Sequence, residues 1–246
     1  MVLSKYSASG NDFVIFHTFK KEDRSSLAKE LCDRQNGIGA DGLIVILPHN
    51  EYDFEWQFYN ADGSEAEMCG NGSRAAAHYA YTNNLAPKKM KFLTLAGVIE
   101  AEVDGDVVES MLSPYKLIKD EFEEEGLKWK IYDTGVPHLV TLSGIDKYDK
   151  VLASKMRYKY NANVNFAEVK NNKLYVRTYE RGVEDETLAC GTGMCASFLV
   201  ARDLGLIKDE VLVYPKSKEE LKIRLQNGRL YFKGKVRNTF LAEYKM

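Results

Sequence analysis

No stretch of the 246-residue sequence approaches the roughly 18 consecutive apolar residues of a membrane-crossing helix. Ser4, Lys5, Ser7 and Ser9 interrupt the N-terminal segment where a signal peptide needs an unbroken apolar core. These absences predict a cytoplasmic protein with no membrane partner. An acidic tail and a basic arm are also missing, and a formal net charge of −2 offers no polycationic surface, so no nucleic-acid partner is expected. The four cysteines, at 32, 69, 190 and 195, include no C-x-x-C pair, and in a reducing compartment they are expected to be thiols. The four histidines, at 17, 49, 78 and 138, are scattered without zinc spacing, so no metal site is expected. Likewise GNGSRA lacks the third glycine of a dinucleotide fingerprint.

What remains is a composition of 45% apolar and 28% charged residues, ordinary for a globular protein large enough for two small domains. Apolar or alternating runs predict strands at 12–16, 43–48, 53–59 and 91–95. Helix-forming segments at 25–35 and 71–84 fall between them. The second half repeats the plan, with strands expected at 133–142, 161–169 and 173–180 and a helix at 190–205. Two hairpins are expected at Asp104-Gly105 and Asn227-Gly228.

Laying MCGNGSRAAAHYA (68–80) over ACGTGMCASFLVA (189–201) aligns Cys69 with Cys190, Gly70 with Gly191 and Gly72 with Gly193. The cysteines stand 121 residues apart; Gly10 and Gly135 are separated by 125, and Gly105 and Gly228 by 123. Internal duplication accounts for all three spacings. The expectation is two similar α/β halves, 1–112 completed by 235–246 and 113–234, joined through a solvated, charged connection at Pro114 to Gly126.

Each of the paired cysteines opens a helix and precedes Gly-x-Gly. Unpaired backbone N–H groups and the positive helix end therefore surround the sulfur and favour thiolate. The glycines let a ligand approach the backbone, where the same N–H groups can hold its carboxylate. A lone cysteine there would read as a small buried hydrophobe, as Cys32 and Cys195 do. The shared context at the duplication offset instead suggests a base and an acid acting on opposite faces of one α-carbon, their roles exchanging with direction.

Together SGNDFV (9–14), GIGADGL (37–43), FYNADGSEAEMCGNGSR (58–74), TGVPH (134–138), NVNF (163–166) and YERGVEDETLACGTG (179–193) resemble the diaminopimelate epimerase family. The resemblance implies an α/β (α+β) fold of two pseudo-symmetric halves. Each would be a mixed β-barrel around a central helix, with the active site in the cleft between them. It implies an isomerase that interconverts L,L- and meso-diaminopimelate without pyridoxal phosphate, metal or any other cofactor, in bacterial lysine and peptidoglycan synthesis. Its catalytic cysteines fall on Cys69 and Cys190, the first taking the proton from the L,L isomer and the second from the meso isomer. His138 and Glu180 are implied as groups that orient or deprotonate the thiols, one beside each. Asn11, Asn60, Asn163, Glu180 and Arg181 are implied as substrate partners, and the Gly70-Asn71 and Gly191-Thr192 backbones as the α-carboxylate site. A homodimer is implied as well.

Three departures accompany the resemblance. Val136 replaces a frequent asparagine, Gly42 a glutamine found in some members, and VEDE (183–186) is one residue longer than the common loop. A proline or hydroxyproline racemase on the same fold is the nearest alternative, but those resemble Met-Cys-Gly-His, and Asn71 stands at the histidine position. A reversible thiol sensor leaves the asparagines unexplained, and a diaminopimelate-binding protein remains open on fold grounds.

Overall fold

A computed structural model describes residues 1–112 and 114–245. The chain forms two compact units, Met1–Met111 with Lys233–Met246, and Leu112–Phe232.

The first unit contains β1 (Val2–Ala8), β2 (Asn11–His17), α1 (Ser25–Cys32), β3 (Gly42–Leu47), β4 (Phe54–Asn60), α2 (Gly70–Thr82), β5 (Lys89–Thr94), β6 (Gly97–Asp104), β7 (Val107–Met111) and the last strand, β17 (Arg237–Glu243). From β17 the pairings run antiparallel to β1, antiparallel to β2, parallel to β3, antiparallel to β4, parallel to β5 and antiparallel to β6. The apolar run of β3 is buried throughout because successive side chains leave opposite faces of the sheet. Ile44 and Ile46 join the core around α2, while Leu43, Val45 and Leu47 join the core under α1. From Asn71 to Ala80 every residue of α2 is buried, which requires the sheet to wrap the helix; α2 packs on β1, β2, β3, β6 and β7.

The second unit contains β8 (Lys116–Glu124), β9 (Leu127–Asp133), β10 (Pro137–Thr141), α3 (Lys150–Tyr160), β11 (Asn163–Lys170), β12 (Lys173–Glu180), β13 (Asp185–Thr187), α4 (Gly191–Asp203), β14 (Glu210–Tyr214), β15 (Leu221–Gln226) and the start of β16 (Arg229–Lys235). From β8 the same order of pairings recurs: antiparallel to β9, antiparallel to β10, parallel to β11, antiparallel to β12, parallel to β14 and antiparallel to β15. The duplication seen in the Cys-Gly-x-Gly segments is thus also a duplication of topology. Helix α4 is buried from Gly193 to Ala201, and α3 covers the other face of the sheet through Ala153 and Met156.

Three expectations need correction. The charged segment after Pro114 is a strand, not a loose connection: β8 pairs with β9, and its charges sit on an exposed face in ion pairs such as Lys128–Glu121 and Lys130–Asp120. The strand expected at 133–142 is broken. Asp133 ends β9, Gly135 takes φ +110°, and β10 begins only at Pro137. At the first hairpin Asp104 pairs with Val107, so the turn is Gly105-Asp106, one residue later than expected. The Asn227-Gly228 turn lies where expected, both residues having positive φ. Among the described residues no helix is long and apolar enough to cross a membrane.

Candidate active site

Cys69 and Cys190 occupy the N-cap positions of α2 and α4, two helices of thirteen residues each. Serine, threonine, aspartate and asparagine are the usual N-caps because an oxygen accepts the unpaired N–H groups of the first turn. Sulfur is a poorer acceptor, so cysteine in both places points to chemistry rather than capping. All four cysteines carry thiols. Burial pushes the Cys32 thiol up to about 11, as suits an inert core residue.

In the first unit, Cys69 Sγ accepts from the Gly72 N–H at 3.4 Å. Behind it runs a polar chain that is buried at Asn71 and Arg74 and reaches the surface at Asp41. Asn71 Nδ2 donates to Asn11 Oδ1 at 2.6 Å, and Asn11 Nδ2 to Asp41 Oδ2 at 3.0 Å. Arg74, fully buried one helical turn after Asn71, donates through Nη2 to Asn71 Oδ1 at 2.5 Å and to Ser9 Oγ at 2.8 Å. Outside these, Arg34 bridges Asp41 and Asp12, and Lys5 donates to Asp12 and to the Gly39 carbonyl. Burial opposes ionisation of Asp12, but the hydrogen bonds and charges of Arg34 and Lys5 outweigh it and hold that carboxyl down to about 2. Of the residues expected here, Cys69, Gly70, Asn71 and Asn11 gather at the start of α2. Asn60 instead closes its own turn, donating to Ser64 Oγ at 3.0 Å.

In the second unit, alternation along β11 sends Val164 and Phe166 towards α3 and Asn163 and Asn165 to the opposite face. His138 lies beside Asn163 in parallel register on β10 and is completely buried. Its Nε2 is 2.9 Å from Thr192 Oγ1, which is 3.5 Å from Cys190 Sγ; its Nδ1 is 3.1 Å from Asn165 Nδ2. Burial pushes the imidazole down to about 3, the Arg181 charge acting in the same direction. The ring is neutral at neutral pH and touches Thr192 on the path towards Cys190. That favours orienting over accepting a thiol proton.

Asn163 Oδ1 accepts from the Arg181 N–H at 2.7 Å, so this amide holds the backbone that carries Arg181. Glu180 ends β12 opposite Asp185. The longer VEDE loop is a tight return: the Glu184 N–H bonds the Glu180 carbonyl, Gly182 takes φ +94°, and Glu184 Oε1 accepts from Gly182 N–H and Arg157. Glu186, on β13, is clamped by both arms of Arg177 and by Lys216.

One reading of the motif changes in the second unit. A Cβ on Gly193 would stand 2.3 Å from Asn165 Oδ1 and 3.1 Å from Thr178 Oγ1, so this glycine makes room for a protein amide rather than a ligand. Arg74, Asn165 and Asp41 lie within the family-like motifs but carry no sequence signal of their roles. Only the register of neighbouring strands brings them to the site. Among the described residues there is no cluster of three or more His, Cys, Asp or Glu able to hold a metal.

The sequence profile described as diaminopimelate epimerase matches residues 3–118 and 131–239. A diaminopimelate epimerase of a Nitratiruptor species is 63% identical over 242 residues, covering 98% of this chain and 97% of that protein. One from Campylobacter jejuni subsp. doylei is 57% identical over 246 residues, with 99% of both covered. Among solved structures, a probable proline racemase from Agrobacterium radiobacter K84 superposes with a TM-score of 0.74 at 12% identity. That match covers 100% of this chain and 93% of that one, and shows a shared fold.

Proposed function

The chain belongs to the diaminopimelate epimerase family, and we propose that Cys69 and Cys190 are the acid–base pair with which it interconverts L,L- and meso-diaminopimelate. The observation that carries this reading is the repeated N-cap cysteine: two thiols, each opening a buried thirteen-residue helix, each with a hydrogen-bond partner at sulfur.

Both positions suit a thiol that must exist as thiolate part of the time. The helix N-terminus contributes positive potential, and a directed N–H or O–H favours the anion. In the L,L direction Cys69 thiolate takes the α-proton while the Cys190 thiol delivers its proton to the opposite face; in the meso direction the roles exchange. Charge developing on the α-carbon and its carboxylate is met by the backbone N–H groups of Gly70-Asn71 and Gly191-Thr192. His138 and Glu180 orient the thiols. Asn11, Asn60, Asn163, Glu180 and Arg181 recognise the second amino-acid head of the substrate, Arg181 supplying a guanidinium fork for its carboxylate. No cofactor enters these steps, which need only two proton-transfer groups and an anion site.

The same resemblance supports a homodimer in the cytoplasm. Strand β17 exposes Phe240 and Leu241, apolar surface that a second copy would cover. Sedimentation at micromolar concentration tests it, a single monomer boundary overturning the dimer. The formal charge of −2 supports a small-molecule partner over nucleic acid.

The decisive assay incubates the purified protein with L,L-diaminopimelate in deuterated water and follows deuterium at the α-carbon, with proline as control substrate. Exchange is expected for diaminopimelate and not for proline. Inversion to the meso isomer at the wild-type rate in either Cys69→Ser or Cys190→Ser would overturn the two-thiol mechanism.

A further inference from the structure

Resting on the reading of Cys190 as a reacting thiol, we propose that Asn165, His138 and the Thr192 hydroxyl form a one-way hydrogen-bond relay whose last proton points at Cys190 Sγ. Asn165 and Thr192 are then positioning residues for the Cys190 thiolate.

The direction of the relay follows from acceptors that cannot donate. Asn165 Nδ2 is 3.2 Å from the Leu139 carbonyl, and Asn165 Oδ1 is 2.9 Å from Thr178 Oγ1. A carbonyl only accepts, so the amide nitrogen must face it, and that same nitrogen lies 3.1 Å from His138 Nδ1. Nδ1 therefore presents its lone pair and carries no hydrogen. Buried completely, with the Arg181 charge acting on it, the ring is neutral, so its single hydrogen is on Nε2.

Two groups approach Nε2. Asn163 Nδ2, at 3.4 Å, is itself a donor, which the Pro137 carbonyl accepts at 3.4 Å, its amide orientation fixed by Oδ1 accepting from the Arg181 N–H. Thr192 Oγ1, at 2.9 Å, is the acceptor. With one lone pair of Thr192 so engaged, its own hydrogen is directed to Cys190 Sγ at 3.5 Å. The Thr134 hydroxyl bond to the Thr192 carbonyl, at 2.9 Å, fixes the first turn of α4 while this happens. A thiolate gains from such a donor, whereas a thiol does not need it, so the relay lowers the cost of ionising Cys190.

The relay is specific to one half of the duplication. Cys69 receives a backbone N–H from Gly72, which no side-chain replacement in the second unit removes.

The test is the pH dependence of labelling by methyl methanethiosulfonate, a reagent small enough for a thiol that is 8% exposed, read by fragment mass at Cys190 and at Cys69. Losing one charge-assisted hydrogen bond in Thr192→Val is expected to raise the apparent Cys190 pKa by about one unit, while Thr192→Ser keeps the wild-type profile. Asn165→Asp places a carboxylate against Nδ1, draws the ring hydrogen to that nitrogen and turns Nε2 into an acceptor for the Thr192 proton. Cys190 should again titrate higher. Combining Asn165→Asp with Thr192→Val should add nothing, because both act through the same hydroxyl; a further rise would assign the Asp effect to its charge and overturn the relay. An unchanged Cys190 profile in folded Thr192→Val, or an equal shift in Thr192→Ser, would overturn it too. These readings need no substrate, so a Cys190→Ser variant that still inverted L,L-diaminopimelate at the wild-type rate would remove Cys190 from the reaction while leaving the labelling result intact.

Discussion

The Gly72 N–H donates to Cys69 Sγ at 3.4 Å, and a Cβ on Gly72 would meet Cys69 Cβ at 3.3 Å and Ile44 Cδ1 at 3.4 Å, contacts that small shifts relieve. The matching glycine of the second unit has no such latitude, with Asn165 Oδ1 at 2.3 Å from where its Cβ would be. Gly72→Ala should thus stay within about 1 kcal/mol of wild type, the better helix propensity of alanine offsetting the tighter packing. Gly193→Ala should cost about 2–3 kcal/mol and displace Asn165. Urea unfolding of the two variants distinguishes them, and equal midpoints would contradict the asymmetry.

Native-state alkylation separates the four cysteines. Cys32 is 2% exposed with its thiol pushed up to about 11 by burial, and Cys195 is fully buried. At pH 8 only about one Cys32 in a thousand is thiolate, the form that reacts. Half-buried Cys69 should be labelled by iodoacetamide well before either, and mass spectrometry of the folded protein reads the order. Labelling of Cys32 at the rate of Cys69 would contradict the buried-core assignment.

Much of this was legible because burial writes itself into sequence where both faces of an element are covered. The run Leu43 to Leu47 reads as a strand for that reason, and the alanines after Cys69 read as a buried helix. Helix α3 (Lys150–Tyr160) left little trace, since only Ala153 and Met156 are buried and the apolar Val151 and Tyr158 face solvent among charged residues, which blurs the helical period. Strand β8 looked like a linker because its backbone bonds to β9 while its side chains face solvent. The cysteines were visible through the repeat. Asn165 was not, because its role depends on which face of β11 it leaves by and on Leu139, His138 and Thr178 lying alongside.

Arg74 illustrates the same blindness, and it makes a prediction. A guanidinium with no exposure that donates to both Ser9 and Asn71 fixes the first turn of α2 to the β1–β2 turn. Lysine lacks the planar fork, so Arg74→Lys should lose about 3 kcal/mol of stability and at least tenfold in kcat/KM. Arg74→Met and Asn71→Ala share one interaction, so a double-mutant cycle should show about 1–3 kcal/mol of coupling. Additive effects would separate Arg74 from the site.

Stability should fall as pH drops below about 6.5, and histidine is the cause. His138 is held down to about 3 by burial, and burial lowers His78 as well against the pull of Asp106, while in the unfolded chain both titrate near 6.5. The unfolded state binds more protons below that pH, so the neutral folded rings cost nothing above 6.5 and progressively more beneath it. For His138 alone the loss is about 1.4 kcal/mol between pH 7.5 and 5.5. Carboxylates act in the same direction but lower down: Asp12, held to about 2, withdraws its contribution only as pH falls below about 4. The interval from 6.5 to 4.5 therefore isolates the histidines. Urea midpoints at pH 7.5 and 5.5 should differ less in His138→Gln than in wild type, and an identical pH dependence in that variant would show that His138 titrates in the folded protein as it does in the unfolded chain, contradicting the buried neutral ring.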